Sequence, residues 1–363
     1  MTESRYIVSP EEYGDGTRRV LRQLLASGAM GSVFAMRRTG EEGSFCYSLV
    51  SDPSMVDDIV PFYPVMPVQA ARALTQLTIT RPLDRPVAAL LRPCEVRAFV
   101  ENVKQSQGSM ENLFIISCTC PGVVPTADIR DMKDEIAIRE REFVIRDACS
   151  ACIEFVPGPQ TDMVLLMACD DPPEGTRLLL QSRRALETAA GLDGFEMETD
   201  RPLGELTAVT ARQRASSRNR LLKNAPVAGR GLEDLVSMFS MCIGCRACRQ
   251  ACPLCNCILC DYETARTIHT PELVREESNR RGAVRVPSGS IQFQLGRLNH
   301  IAPYCTGCGQ CSDVCPVHIP VAEIFIRAAE LVQTSLGYSP GKDIDDAPAL
   351  STYVEGELQD ITD

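Results

Sequence analysis

The N-terminal half of the chain alternates short apolar runs with apolar positions at helical spacing. Four runs have the length and composition of buried strands, at residues 32–36, 87–91, 113–117 and 163–168. Directly after Cys94, helical spacing relates Val96, Phe99, Val100 and Val103. Strands that alternate with helices predict an α/β domain.

The C-terminal half shows helical periodicity instead. One helical face is formed by Ile291, Leu295, Leu298 and Ile301, and another by Val321, Ile324, Phe325, Ala328 and Leu331. A polar, basic segment near residues 200–231 separates the halves. Its basic cluster is predicted to be a solvated helix face and comprises Arg212, Arg214, Arg218, Arg220 and Lys223. We predict domains at 1–225 and 226–340, followed by an extended acidic tail at 341–363 that could lie on a partner subunit.

Two copies of one cysteine spacing stand in the C-terminal half. Each reads C-x2-C-x2-C-x3-C-P, the run that wraps a [4Fe–4S] cluster and whose fourth cysteine ligates the neighbouring cluster. The crossed assignment predicts one cluster on Cys242, Cys245, Cys248 and Cys315, and a second on Cys305, Cys308, Cys311 and Cys252. Zinc ribbons typically use two short cysteine pairs, and a disulfide framework suits a secreted chain, so both alternatives fit this pattern less well.

The long spacer between the two runs, residues 253–304, contains the first of the helical faces described above. Both clusters are therefore predicted to lie beside helices. This arrangement resembles the α-helical dicluster ferredoxin domains of succinate dehydrogenase and heterodisulfide reductase subunits. The compact, β-rich bacterial ferredoxin fits less well.

Composition restricts the classes of protein to which this chain can belong. The chain has 363 residues, 18 cysteines and a net charge of −11, which argues against nucleic-acid binding. Its first residues contain no apolar core of a secretory signal, and no stretch is long enough to span a bilayer. We therefore expect reduced, metal-bound cysteines in a cytoplasmic protein of an anaerobic host.

Four further cysteines lie where N-terminal strands end, and they are Cys94, Cys120, Cys149 and Cys152. Cys94 opens the helix described above, where backbone N–H groups would favour a thiolate. Scattered cysteines alone are most often ordinary buried thiols. The order of the segments that carry them is more specific than the cysteines themselves.

These segments resemble the β subunits of coenzyme F-420-reducing hydrogenase and formate dehydrogenase. That family has a strand ending in T/R-P-C-E/Q, a strand ending in C-x-G, and an R-x-C-x2-C segment before a further strand. The matching residues are Arg92–Glu95, Cys120–Gly122, 146–152 and Thr161-Asp162. The resemblance covers about residues 20–335 and includes the dicluster module of the formate dehydrogenase type.

The resemblance implies a third [4Fe–4S] cluster on Cys94, Cys120, Cys149 and Cys152, and FAD in the N-terminal domain. It implies a β subunit that relays electrons between coenzyme F-420 and a catalytic partner such as formate dehydrogenase, hydrogenase or heterodisulfide reductase. NAD(P)H or ferredoxin as the carrier, and a flavin-free electron-transfer subunit, are the alternatives. Cys118 and Thr119 depart from the family pattern, so Cys118 and Cys120 compete for one ligand position.

Three clusters leave six cysteines unassigned, namely Cys46, Cys118, Cys169, Cys255, Cys257 and Cys260. The last three could be buried thiols, part of a further cluster completed by one of the other three, or replacements for a ligand in the crossed assignment. We favour a metal-related role. The histidines are His269, His300 and His318, and we expect His318 to hydrogen-bond near a cluster. Hydrolytic and phosphoryl-transfer motifs are absent from the sequence, so the catalytic residues are not predicted.

Overall fold

The computed structural model describes residues 4–40, 44–131, 144–225, 231–263, 270–287 and 289–351. The N-terminal domain is built on an eight-stranded mixed sheet in the order β3-β2-β4-β5-β6-β7-β1-β8. Its strands are β1 (Ser4–Ser9), β2 (Ser32–Arg38), β3 (Phe45–Val50), β4 (Val87–Leu90), β5 (Leu113–Cys118), β6 (Met163–Leu165), β7 (Thr176–Leu180) and β8 (Glu196–Asp200). The predicted α/β fold is therefore confirmed.

The centre of the sheet is parallel and its edges are antiparallel. Strands β2, β4, β5 and β6 pair in parallel. At one edge β3 pairs antiparallel with β2, and at the other the pairs β6–β7, β7–β1 and β1–β8 are antiparallel. Every residue of β4 and β5 is buried, as expected for continuous apolar runs in a sheet covered on both faces. Sites in such sheets lie beyond the carboxyl ends of the parallel strands.

Helices cover both faces of this sheet. They are α1 (Tyr13–Ala26), α2 (Ala70–Thr78), α3 (Pro93–Lys104), α4 (Asp147–Ser150), α5 (Arg183–Ala189), α6 (Leu203–Leu206) and α7 (Ala208–Asn224), with short 3-10 helices at Pro53–Asp58 and Thr126–Asp131. One core lies between the sheet and α1, around Leu21 and Phe114. A second lies between the sheet and the helices α2 and α3, around Leu74 and Phe99.

The C-terminal region is helical in its described residues, as predicted. Its helices are α8 (Leu232–Phe239), α9 (Ala247–Ala251), α10 (Pro271–Arg281), α11 (Ser290–Ile301), α12 (Gln310–Asp313) and α13 (Val321–Leu336), with a 3-10 helix at Asp261–Glu263. The two predicted helical faces lie on α11 and α13, whose Ile301, Ile324 and Phe325 share one core. The predicted boundary after residue 225 adjoins residues 226–230, which lie outside the described residues, and stays a prediction.

The start of the predicted acidic tail packs against its own chain. The backbone N–H of Gly341 donates to the buried Glu101 carboxylate at 2.6 Å, and the Tyr304 hydroxyl donates to the Ala349 carbonyl. Ile344 packs beside the core under α3. Residues 341–351 therefore contact their own chain, whereas 352–363 lie outside the described part, and the tail at 341–363 stays a prediction. None of the described helices has the length and apolar character that a membrane span requires.

Candidate iron–sulfur sites

The four N-terminal cysteines identified by the resemblance line one cavity. Cys94 lies in the first turn of α3, which follows β4, and Cys120 follows the end of β5. Cys149 lies on the short helix α4, and Cys152 follows it. The sheet thus brings together thiols from three separate segments. We call this space the N-terminal cysteine cavity.

A buried carboxylate holds the Cys94 turn in place. Glu95 is completely buried, and its oxygens accept hydrogen bonds from the backbone N–H of Arg92 at 2.8 Å and of Ala70 at 3.0 Å. The Tyr47 hydroxyl also donates to Glu95, at 2.9 Å. The Arg92 guanidinium lies 3.9 Å from the same carboxylate and donates to carbonyls of the loop before α2. The Arg-Pro-Cys-Glu motif thus supplies a structural frame as well as a thiol, a role that sequence reasoning missed.

The structure separates the two cysteines that compete for one position. Cys120 lines the cavity, whereas Cys118 is the buried last residue of β5. A hydrogen bond from Cys118, together with Arg92, lowers the pKa of Cys120 to about 6 despite burial, and the pKa of Cys118 is raised by burial and by that hydrogen bond. Gly122 has a φ of 104°, and a Cβ there would lie 3.2 Å from the Cys149 Cβ. The C-x-G glycine therefore permits the close approach of the two segments.

The other thiols of this cavity have raised pKa values. Burial raises the pKa of Cys149 to about 11 and the pKa of Cys152 above its usual value. Burial, and then Glu95, raises the pKa of Cys94 well above its usual value. Burial thus outweighs the favourable effect that we expect of the helix N-terminus on the Cys94 thiolate, and the role of Cys94 as a ligand stays a prediction. Bound iron would deprotonate these thiols outright.

The crossed cysteine set lines a second cavity. Cys252, from the first run, faces Cys305, Cys308 and Cys311 of the second run across this space. A hydrogen bond from Cys255 lowers the pKa of Cys252 to about 6, whereas burial raises that of Cys305 to about 11 and that of Cys308 to about 12. We call it the C-terminal cysteine cavity. As at the N-terminal cavity, a thiol outside the lining donates to a lining thiol of low pKa.

The remaining run lies against α11. Gln294 Nε2 is 3.7 Å from Cys242 Sγ and 3.6 Å from Cys248 Sγ, so these two thiols share one donor. Cys245 is exposed and acts electrostatically on Cys248. Cys315 packs in the same apolar core as Cys242. We call Cys242, Cys245, Cys248 and Cys315 the outer cysteine group.

The two cavities share a wall. Gly307 and Cys308 line both of them, and Cys308 acts electrostatically on Cys94. Gly309 has a φ of 80°, and a Cβ there would lie 2.8 Å from the Ala148 Cβ, next to Cys149. A glycine in the second run therefore allows the two regions to meet at their cysteines.

A buried ion pair fastens this junction. Arg146 donates to the Asp313 carboxylate at 2.5 Å, and both side chains are almost completely buried. The backbone N–H of Thr126 donates to the same carboxylate at 2.9 Å, and Gln310 accepts from Arg146 at 3.1 Å.

The basic cluster before the domain boundary is also partly buried. Arg214 lies inside and donates to the Cys120 carbonyl at 2.8 Å, so the predicted solvated face is wrong at this position.

The cavities fit clusters better than single ions. Within the described residues, no three Cys, His, Asp or Glu side chains converge closely enough to hold one metal ion. A cubane takes four thiolates from around a larger space. The C-terminal cavity is lined by four thiols, the N-terminal cavity by its own four and the shared Cys308, and arginine side chains line both. The residues present therefore fit [4Fe–4S] clusters.

The unassigned cysteines lie in different surroundings. Cys46 is exposed on β3, and the Cys169 thiol lies 3.6 Å from the Asp171 carbonyl oxygen. Cys257 is exposed and Cys260 is half-buried, so a further cluster on Cys255, Cys257 and Cys260 stays a prediction.

The histidines add one contact to the sites. The backbone N–H of His318 donates to the Cys315 carbonyl at 3.1 Å, and a tuning role for its imidazole stays a prediction. His300 lies near Tyr262, and His269 is outside the described residues.

A cleft of about 300 Å³ opens beside both cavities. Cys152 of the N-terminal cavity and Cys305 of the C-terminal cavity both lie on its wall, together with Arg97 and Tyr338. Its volume is at the lower end of the range of ligand pockets. The cleft therefore adjoins one thiol of each set.

Fold and sites together define the class: a mixed-sheet α/β domain joined to a helical [4Fe–4S] domain. The family model of the 4Fe–4S dicluster domain matches residues 238–319, which include both cysteine runs. Curated homologues are F-420-dependent formate dehydrogenase β subunits, so the predicted resemblance is confirmed. The subunit of Methanocaldococcus jannaschii is 25% identical over 313 residues, covering 72% of this chain and 75% of the relative.

A second relative and one solved structure complete the comparison. The β subunit of F-420-dependent formate dehydrogenase 1 of Methanococcus maripaludis is 27% identical over 312 residues, covering 74% of this chain and 76% of the relative. A chain of the F-420-reducing [NiFe] hydrogenase complex from Methanosarcina barkeri superposes with a TM-score of 0.47 and 12% identity, over 63% of this chain and 94% of that chain.

Proposed function

We propose that this protein is the iron–sulfur subunit of an oxidoreductase complex of the formate dehydrogenase β type. It relays electrons between a diffusible hydride carrier and a catalytic partner subunit. The N-terminal cysteine cavity, the C-terminal cysteine cavity and the outer cysteine group each hold one [4Fe–4S] cluster, which would accept and donate single electrons. The domain division at 1–225, 226–340 and 341–363 is part of this proposal.

The shared wall of the two cavities carries the proposal. Because Gly307 and Cys308 line both cavities, groups held in them are neighbours. The outer cysteine group lies against the same helix, α11, whose Gln294 is close to the sulfurs of Cys242 and Cys248, and its Cys245 is exposed. In this proposal the three sites form a row that runs from the sheet to the surface of the helical region. A row of this kind suits a relay better than a single catalytic centre.

We assign the end of the row that exchanges electrons with the diffusible carrier to the N-terminal domain. The relatives are named as F-420-dependent enzymes, so we propose coenzyme F-420 as the hydride carrier and FAD as the group that converts hydride transfer into single electrons. The cleft beside Cys152 and Cys305 offers room next to both cavities. The flavin rests on the resemblance, and the cleft only supports it.

Iron, acid-labile sulfide and flavin measured on one anaerobic preparation test the proposal. We expect about twelve irons per chain and released FAD. Cys149→Ser should remove about four irons and leave the dicluster signals intact. Cys46→Ser is the matched control, because Cys46 is exposed on β3 and should leave the iron content unchanged. Unchanged iron in Cys149→Ser would refute the N-terminal cluster.

The alternative is an electron-transfer subunit without flavin. The exposed Cys245 and the row of sites fit this reading equally well, since neither requires a hydride carrier. Twelve irons without FAD would favour it. Reduction of the clusters by reduced F-420, NAD(P)H or ferredoxin, each tested separately, would identify the donor.

A further inference from the structure

Two polar side chains of α11 lie between the C-terminal cysteine cavity and the outer cysteine group. Gln294 and Arg297 are three residues apart and therefore share one helical face. Gln294 Nε2 lies within 3.7 Å of the sulfurs of Cys242 and Cys248, both in the outer group. Arg297 Nε lies 3.4 Å from the Cys255 sulfur, and its terminal nitrogen donates to Gln294 Oε1 at 3.4 Å.

The Arg297 charge is buried and is balanced by sulfur. The side chain is 4% exposed and stacks on the Phe325 ring, with its guanidinium carbon 4.5 Å from the ring centroid. Within the described residues, no carboxylate forms an ion pair with it. An uncompensated buried guanidinium would be strongly destabilising, so its negative partner must lie among the thiolates or the clusters that they bind.

The sulfurs that act on this charge belong to both sites. Arg297 lines the C-terminal cysteine cavity, and its guanidinium interacts electrostatically with the thiols of Cys248, Cys252, Cys255 and Cys311. Cys248 belongs to the outer cysteine group, whereas Cys252 and Cys311 line the C-terminal cysteine cavity. One fixed positive charge therefore faces ligands of two proposed clusters.

We propose that Arg297 and Gln294 form a polar bridge that raises the reduction potentials of both clusters of the dicluster domain. The inference rests on the proposed cluster sites. A fixed cation stabilises the added electron of a reduced cluster, and N–H donors to ligand sulfur act in the same direction. Arg297 acts on both clusters, whereas Gln294 donates only to sulfurs of the outer group. Both are positioning residues because they act through the cysteine ligands.

Redox titration of the full-length protein, followed by electron paramagnetic resonance, tests the bridge. Arg297→Gln should lower the reduction potentials of both clusters of the dicluster domain by at least about 59 mV, which is a tenfold change in a one-electron equilibrium constant. Arg297→Lys keeps the charge and should retain most of the wild-type potential. Arg280→Gln removes the same charge from an exposed ion pair on α10 and should change neither potential.

Iron content separates the two levels of inference. A wild-type protein that holds no dicluster iron would refute the proposed function itself. If Arg297→Gln retains all of its iron and its clusters have the same reduction potentials as those of Arg280→Gln, the bridge is refuted. If Arg297→Gln loses iron, the potentials of Gln294→Ala decide the matter. The potential of one dicluster component should fall and that of the other should stay unchanged. If neither potential changes, the bridge is refuted.

Discussion

The N-terminal and C-terminal cysteine cavities are built in opposite ways. The N-terminal cavity collects its thiols from segments that are far apart in sequence, and the ends of β4 and β5 hold two of those segments. The C-terminal cavity takes three thiols from one short run and adds Cys252 from the other. The first site is a product of the sheet, and the second is largely a product of local loops.

This difference determines what stabilises each site. The N-terminal cavity depends on side chains that fix distant segments, such as Glu95 behind Cys94 and Arg214 behind Cys120. The C-terminal cavity depends on positive-φ glycines within its run and on the packing of α11 and α13. Next to each cavity, however, a second thiol donates to a lining thiol of low pKa: Cys118 donates to Cys120, and Cys255 donates to Cys252. The two cavities therefore share this arrangement of two thiols although their chain segments are assembled differently.

Replacement of Glu95 should have the largest effect on stability, and it should remove iron from the N-terminal cysteine cavity only. Glu95→Ala leaves the buried Arg92 without its carboxylate and should lower the free energy of unfolding by about 3–5 kcal/mol, as for other broken buried pairs. The N-terminal cavity should lose its iron while the dicluster iron remains. Urea denaturation and iron analysis measure both effects. The matched control is Glu95→Gln, which keeps the volume and one acceptor oxygen and should lose less stability.

The junction between the two regions should be the next most sensitive feature. Asp313→Asn removes the charge that faces Arg146 and one of the acceptors used by Thr126, so stability should fall by about 3 kcal/mol. Glu330→Gln is the matched control, because it breaks the more exposed Arg218–Glu330 pair between α7 and α13 and should cost less than about 1 kcal/mol. Equal losses in the two variants would show that the buried pair is not special.

Most of the central sheet could be predicted because its strands are continuous apolar runs. The sequence predicts none of β1, β3, β7 and β8. The edge strands β3 and β8 are partly exposed and contain polar residues that are typical of loops. The dicluster runs can be read from local spacing. The N-terminal set required the order of segments and a resemblance, because Cys94 and Cys152 line one cavity only in the folded domain. Arg297 carries no local signal at all, since its burial depends on thiols brought together by tertiary packing.

Arg214 offers a finer test of how the N-terminal cavity is held. Its guanidinium donates to the Cys120 carbonyl and lies 4.5 Å from the centroid of the Phe155 ring. Arg214→Ala should therefore lower the free energy of unfolding by about 2 kcal/mol. Arg220→Ala, on the exposed side of the same helix, should change it by less than about 0.5 kcal/mol. Equal values in thermal or urea unfolding would contradict the role assigned to Arg214.

The smallest predicted effect concerns the C-terminal segment that packs against α3, the helix that contains Cys94 in its first turn. The Tyr338 hydroxyl donates to Glu101 at 2.7 Å and accepts from Lys104 at 2.7 Å. Tyr338→Phe removes both hydrogen bonds while Gly341 still donates to the same carboxylate, so we expect a loss of about 1 kcal/mol. Ser335→Ala, whose hydroxyl donates only within α13, is the control and should have little effect. Because Tyr338 also lines the cleft beside Cys152 and Cys305, the variant should loosen this segment and speed its proteolysis without loss of iron. Loss of iron instead would mean that the segment supports the cysteine cavities themselves and does not merely cover them.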